Sequence, residues 1–120
     1  MATILIVDDY QVTLRVLSTQ LRKYGYDVFT AGSAREALAR LAETPIDLAI
    51  LDIAMPEVDG LMLLRQLRGD ARYHMLPVIM LTASGLDHDR ITAREAGAND
   101  FLSKPASSRE LLDTVQRFLP

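Results

Sequence analysis

Short, nearly continuous apolar runs punctuate this chain at Ile4 to Val7, Ile46 to Leu51 and Pro77 to Leu81. A strand with one wet face would alternate apolar and polar residues, so unbroken runs predict strands covered on both sides in a parallel sheet. Helices must then lie on both faces. Between the runs, apolar residues recur at helical spacing: Leu14, Leu17, Leu21 and Tyr24, then Ala34, Ala37, Leu38 and Leu41, then Leu61, Leu64 and Leu67. Tyr26 to Ala31 and Ala98 to Leu102 predict two weaker strands, and Leu111, Leu112, Val115 and Phe118 a closing amphipathic helix. A fourth helix, from about Leu86 to Ala96, is apolar only at Leu86, Ile91, Ala93 and Ala96 and is otherwise filled by Asp87, His88, Asp89, Arg90, Arg94 and Glu95. Strand and helix therefore alternate as (βα)5, an α/β doubly wound parallel sheet of five strands.

Boundary residues agree with this parsing. Gly25 suits the end of the first helix and Gly97 the end of the fourth, while Ser33 is placed to cap the second, with Glu36 three positions on. A length of 120 residues fits one domain, residues 1–120, large enough to bury a core without disulfides. No internal repeat or low-complexity tract interrupts it.

Composition narrows the function by exclusion. A net charge of -3 supplies no basic field, so neither nucleic acid nor a membrane surface is an expected partner. The absence of cysteine excludes disulfide frameworks, thiolate metal sites and cysteine nucleophiles. No apolar run is long enough to span a bilayer, and Asp8 and Asp9 end the first run too early for a signal peptide. The expected location is cytoplasmic.

Sites in doubly wound sheets form at the carboxyl ends of the strands, near the point where strand order reverses. The first strand ends in Asp8 and Asp9, the third in Asp52 and the fourth in Thr82, and the fifth is followed by Lys104 and Pro105. Carboxylates gathered within about 4 to 6 Å repel one another by roughly 4 kcal/mol per pair at an effective dielectric of 20, so this edge calls for a cation. Carboxylate oxygens without nearby His or Cys select Mg2+ or Mn2+, and Mg2+ commonly binds phosphate as well. Lys104 and Thr82 bring an ammonium and a hydroxyl suited to phosphoryl oxygens. Asp52 is left as a nucleophile able to form an acyl phosphate.

These residues resemble the response-regulator receiver domain of two-component signalling systems, over essentially the whole chain. The resemblance is carried by Asp8-Asp9, Asp52, Met55-Pro56 with Asp59-Gly60, Thr82-Ala83, Lys104-Pro105 and the stretch Gly97 to Phe101, and by the intervals between Asp52, Thr82 and Lys104. It implies the flavodoxin-like strand order 2-1-3-4-5. It further implies that Asp52 is phosphorylated by a histidine kinase or phosphotransfer protein, that Asp9 binds Mg2+ directly, that Asp8 acts largely through water, and that the Ala54 backbone carbonyl completes the protein ligands. Thr82 and Lys104 would contact the phosphoryl group, Phe101 would turn inward when Thr82 moves, and the Lys104-Pro105 bond would be cis. An output domain or effector is the implied downstream partner. The fourth helix, fifth strand and fifth helix are the implied partner surface, available to a homodimer as well. The protein would catalyse only its own phosphorylation and dephosphorylation. Asp70 to Leu76 resembles the corresponding stretch of stand-alone and hybrid-kinase receivers.

Tyr10, Ala54 and Ser84 depart from the commonest receiver pattern, and Ala54 offers no side chain to position or block a hydrolytic water. Plainer readings exist residue by residue: Asp8 and Asp9 as helix caps, Asp52 as a loop residue, Lys104 as a solvated lysine and Phe101 as core. Their coincidence at one edge argues against them together. An aspartyl-phosphate phosphatase would need a second Asp at position 54, where Ala stands, and an FMN module would not place Asp8 and Asp9 in its phosphate loop. A degenerate receiver would lack one of the acids or the lysine. His74 and His88 have no ligand partners at useful spacing and carry no assigned role.

Overall fold

The parallel sheet assembles around the apolar runs. The computed structural model describes residues 2–55, 58–83 and 87–119. In chain order the elements are β1 (Thr3–Val7), α1 (Gln11–Lys23), β2 (Asp27–Ala31), α2 (Ala34–Glu43), β3 (Leu48–Asp52), α3 (Gly60–Arg68), β4 (Val78–Thr82), α4 (Asp87–Glu95), β5 (Asp100–Ser103) and α5 (Ser108–Phe118). The five strands are parallel in the order β2-β1-β3-β4-β5, the expected doubly wound receiver-type arrangement. Pro56, Ser84 and Leu86, which figure in the sequence reading, lie outside the described residues, as does the side chain of His88.

β3 and β4 are buried along their whole length because helices cover both faces of the central sheet. Leu14, Leu17 and Leu21 of α1 and Leu111 and Val115 of α5 pack with Ile4, Ile6, Leu48, Ile50, Ile79 and Leu81 on one face. On the other, Ala34, Ala37 and Leu41 of α2, Leu63, Leu64 and Leu67 of α3 and Ala93 of α4 pack with Leu5, Val7, Ala49, Leu51, Val78 and Met80. Alternate residues of each strand thus feed opposite cores, as the period of two requires.

Helix ends follow the punctuation. Ser33 caps α2 by accepting from the Glu36 N–H, and Asp59 and Ser107 cap α3 and α5 in the same way. Gly25 and Gly97 adopt positive φ after α1 and α4. Three expected core positions shift. Tyr24 is the C-cap of α1 and half exposed, Ile91 points outward from α4, and Leu63, not Leu61, is fully buried in α3. Leu63 lies on the inner face of α3 with Leu64 and Leu67, and Leu61 packs at the margin of the same core.

Candidate functional site

The carboxyl ends of β1, β3 and β4 and the segment after β5 meet at one edge, and main-chain hydrogen bonds fix how they leave the sheet. Asp8 N–H donates to Ala31, Ile53 N–H to Leu81 and Lys104 N–H to Thr82, at 3.1, 3.0 and 2.7 Å. The Lys104-Pro105 peptide is cis. α1 begins after Tyr10, whose side chain makes no capping bond, so neither Asp8 nor Asp9 caps the helix. Asp8 instead folds back, its Oδ1 accepting the Tyr10 N–H at 3.0 Å, which turns its other oxygen toward β3 and β5.

That geometry gathers the three acids. One carboxylate oxygen from each of Asp8, Asp9 and Asp52 lies within 4.8 Å of the others. Asp8 is fully buried, Asp52 is 3% exposed, and Asp9 faces solvent. Lys104 Nζ reaches between the buried pair, 2.7 Å from Asp8 Oδ2 and 3.2 Å from Asp52 Oδ1. Thr82 closes the edge from β4 at 2% exposure, while Ala54 and Ala83 are exposed beside the acids.

The charges do not cancel at Asp52. Burial, and then the neighbouring Asp8 carboxylate, push its carboxyl up to about 6, against the pull of the Lys104 ammonium. Burial works to lower the pKa of Lys104, but its hydrogen bond to Asp8 and the charges of Asp52 and Asp8 hold it above the usual lysine value. One ammonium therefore faces an excess of negative charge, in a cluster whose donors are all oxygen. This donor set fits a hard divalent cation such as Mg2+ or Mn2+.

Glycine is required where α3 begins. Gly60 N–H donates to Ile53 O at 2.9 Å, and a Cβ at position 60 would collide with the backbone carbonyl of Asp52. The Asp59-Gly60 pair thus has two separate physical jobs. Asp59 caps α3 through the Met62 N–H, and Gly60 lets that helix start directly against the strand end that carries Asp52.

The family model for the response regulator receiver domain matches residues 4–116. This chain belongs to that family. It is 40% identical over 117 residues to the transcriptional regulatory protein GltR of Pseudomonas aeruginosa, covering 98% of this chain and 48% of that protein. It is 38% identical over 116 residues to the alkaline phosphatase synthesis transcriptional regulatory protein PhoP of Bacillus subtilis, covering 97% and 48%. The receiver thus spans about half the length of the curated relatives it matches. Among solved structures, the chemotaxis protein CheY4 of Vibrio cholerae superposes with a TM-score of 0.93 at 34% identity over 98% of both chains. The signal receiver domain of a signal transduction histidine kinase from Syntrophus aciditrophicus gives 0.90 at 37% identity, over 99% of this chain and 90% of that one. No helix among the described residues is long and apolar enough to cross a membrane.

Phe101 sits farther from the acids, half-buried in β5 opposite Met80. The receiver also holds a polar hub that the sequence pattern does not reveal. Arg68, in the last turn of α3, donates from Nε to Gly97 O at 2.9 Å, from Nη1 to Tyr73 O and His74 O at 3.1 and 3.3 Å, and from Nη2 to Asn99 Oδ1 at 2.9 Å. Asn99 Oδ1 also accepts the Val78 N–H at 2.8 Å. One guanidinium thereby ties α3 to the loops that precede β4 and β5. A basic residue at a helix C-terminus reads in sequence as an ordinary dipole partner. Only its pairing with Asn99, distant along the chain, reveals the hub.

Proposed function

We propose that this receiver is a phosphorylation-activated signalling switch in which Asp52 accepts a phosphoryl group from the phosphohistidine of a sensor kinase or phosphotransfer protein. The observation that carries this reading is the bridge of Lys104 Nζ between Asp8 and Asp52 inside a three-carboxylate cluster. At neutral pH Asp52 is mainly ionised, since its carboxyl titrates near 6. Its oxygen can therefore attack phosphorus, forming the P–O bond of an acyl phosphate as the P–N bond to the donor imidazole breaks and imidazole leaves with the electron pair. Lys104 and Thr82 then stabilise the phosphoryl oxygens. Asp8, Asp9, Asp52 and the Ala54 carbonyl would hold Mg2+ or Mn2+, which when bound supplies positive charge to the carboxylates and the phosphoryl oxygens.

A partner would approach past Ala54 and Ala83, which are both exposed, and Tyr10, Val12 and Val16 present exposed apolar surface around a groove shared with Lys104 and Pro105. Phosphorylation adds negative charge next to Thr82 and Lys104 and shifts a two-state equilibrium toward a form with Thr82 and Phe101 drawn in. The α4, β5 and α5 surface then changes its affinity for an output domain, an effector or a second copy.

Incubation with Mg2+ and a small acyl-phosphate donor, followed by intact-mass measurement, tests the acceptor. The expected result is a gain of one phosphoryl group that disappears with chelator and in Asp52→Asn. A gain that persists in Asp52→Asn removes Asp52 from the role.

A further inference from the structure

α4 is weakly fastened by apolar contacts. Ala93 is its one fully buried residue among those whose side chains are described, and Ile91 is 57% exposed. Two of its side chains meet β5 through an aromatic and cationic contact. The Arg90 guanidinium lies over the Phe101 ring, 4.7 Å from its centroid, and that of Arg94, one turn later, lies 5.4 Å away. Arg90 Nη2 also reaches Ser103 Oγ at 3.5 Å, while its buried Nε–H has no hydrogen-bond partner. Stacking is thus a principal contact of that guanidinium.

The register connects this stack to the acid edge. Met80 pairs with Phe101 and Thr82 with Ser103, so these four residues share the sheet face that packs against α4. Phe101 is the diagonal neighbour of Thr82. A shift of Thr82 toward a group on Asp52 opens space on this face, and the Phe101 ring can enter it only by leaving the two guanidinia.

We infer that Arg90 and Arg94 are positioning residues that act through Phe101: together they clip its ring in the half-exposed position and bias the receiver toward its unphosphorylated form. The inference rests on the reading of Asp52 as the phosphoacceptor. Two cation–π contacts of ordinary strength change a conformational ratio by roughly 5- to 30-fold. If the clip holds the resting form, removing it raises the fraction of protein ready for a phosphoryl group and tightens apparent binding by the same factor.

The test is a double-mutant cycle between the Arg90→Gln, Arg94→Gln pair and Phe101→Leu, with two readouts. In urea unfolding without ligand, the arginine pair is expected to lower the folding equilibrium constant in the Phe101 protein and to have about 5- to 30-fold less effect in the Phe101→Leu background. In titrations with beryllofluoride and Mg2+, the same arginine changes are expected to tighten binding about 5- to 30-fold, and to leave it unchanged in the Phe101→Leu background. Lower stability with tighter ligand binding is not what simple structural damage produces. Additivity in unfolding, unchanged or weakened beryllofluoride binding, or equal tightening in the Phe101→Leu background would each overturn the clip. If the unsubstituted receiver takes up no beryllofluoride, the reading of Asp52 fails instead, and the unfolding cycle still decides whether the arginines hold Phe101.

Discussion

Asp52 carries a charge that the folded chain resists. Its carboxyl titrates near 6 in the native protein against 3.8 in the free side chain, so the native state keeps the proton over a range where the unfolded state has lost it. Ionisation of Asp52 therefore costs stability above pH 6, and the cost fades as the pH falls through 6 toward 3.8. In the presence of a chelator at pH 7.5, Asp52→Asn should be more stable than the parent by on the order of 1–3 kcal/mol in urea unfolding. The difference should shrink by pH 5. A less stable Asp52→Asn at pH 7.5 would mean that the Lys104 contact outweighs burial and Asp8. Gly60 has the opposite sensitivity. Gly60→Ala should destabilise by about 1–3 kcal/mol and slow phosphorylation by a small donor, because the added methyl collides with the Asp52 carbonyl. At this scale the acids, Thr82 and Lys104 are legible in the sequence because each ends or follows an apolar run. Asp59 and Gly60 are legible only as a motif, since the need for a glycine arises from contact with a strand end that is not its neighbour in sequence.

Among the elements, the strands and the better-packed helices can be read directly. Continuous apolar runs become β1, β3 and β4, and Leu14, Leu17 and Leu21 or Ala37 and Leu41 point inward as their spacing demands. The misplacements have identifiable causes. Tyr24 continues the spacing of α1 but falls at its cap, and Ile91 lies on the exposed side of α4 while Ala93 faces the core. Arg68 shows what periodicity cannot reach, because its four acceptors lie on two loops. Arg68→Ala should destabilise the receiver by about 1–3 kcal/mol in urea unfolding, since it strips a charged donor from four acceptors, of which the Gly97 and Tyr73 carbonyls are half-buried. Arg68→Lys should recover only part of the loss, because one ammonium cannot reproduce a planar fork with several donors. Full recovery with lysine would reduce the hub to a simple charge effect.

For the molecule as a whole, the doubly wound topology explains why so few residues suffice. Chain reversal between β1 and β3 brings the acids of two strand ends together, and β4 and β5 add the hydroxyl and the ammonium at the same edge. The two cores on either side of the sheet support that edge, while α4 buries Ala93 alone among its described side chains and sets Arg90 and Arg94 over Phe101, the small apolar anchorage expected of an element that moves. The most direct test of this account is to identify the phosphorylated atom. Receiver treated with Mg2+ and a small acyl-phosphate donor is reduced with borohydride, which converts an aspartyl phosphate to homoserine, and the digested chain is sequenced by mass spectrometry. The account predicts homoserine at position 52 and nowhere else; homoserine at position 8 or 9, or phosphate retained on a hydroxyl or histidine with position 52 unchanged, would contradict it.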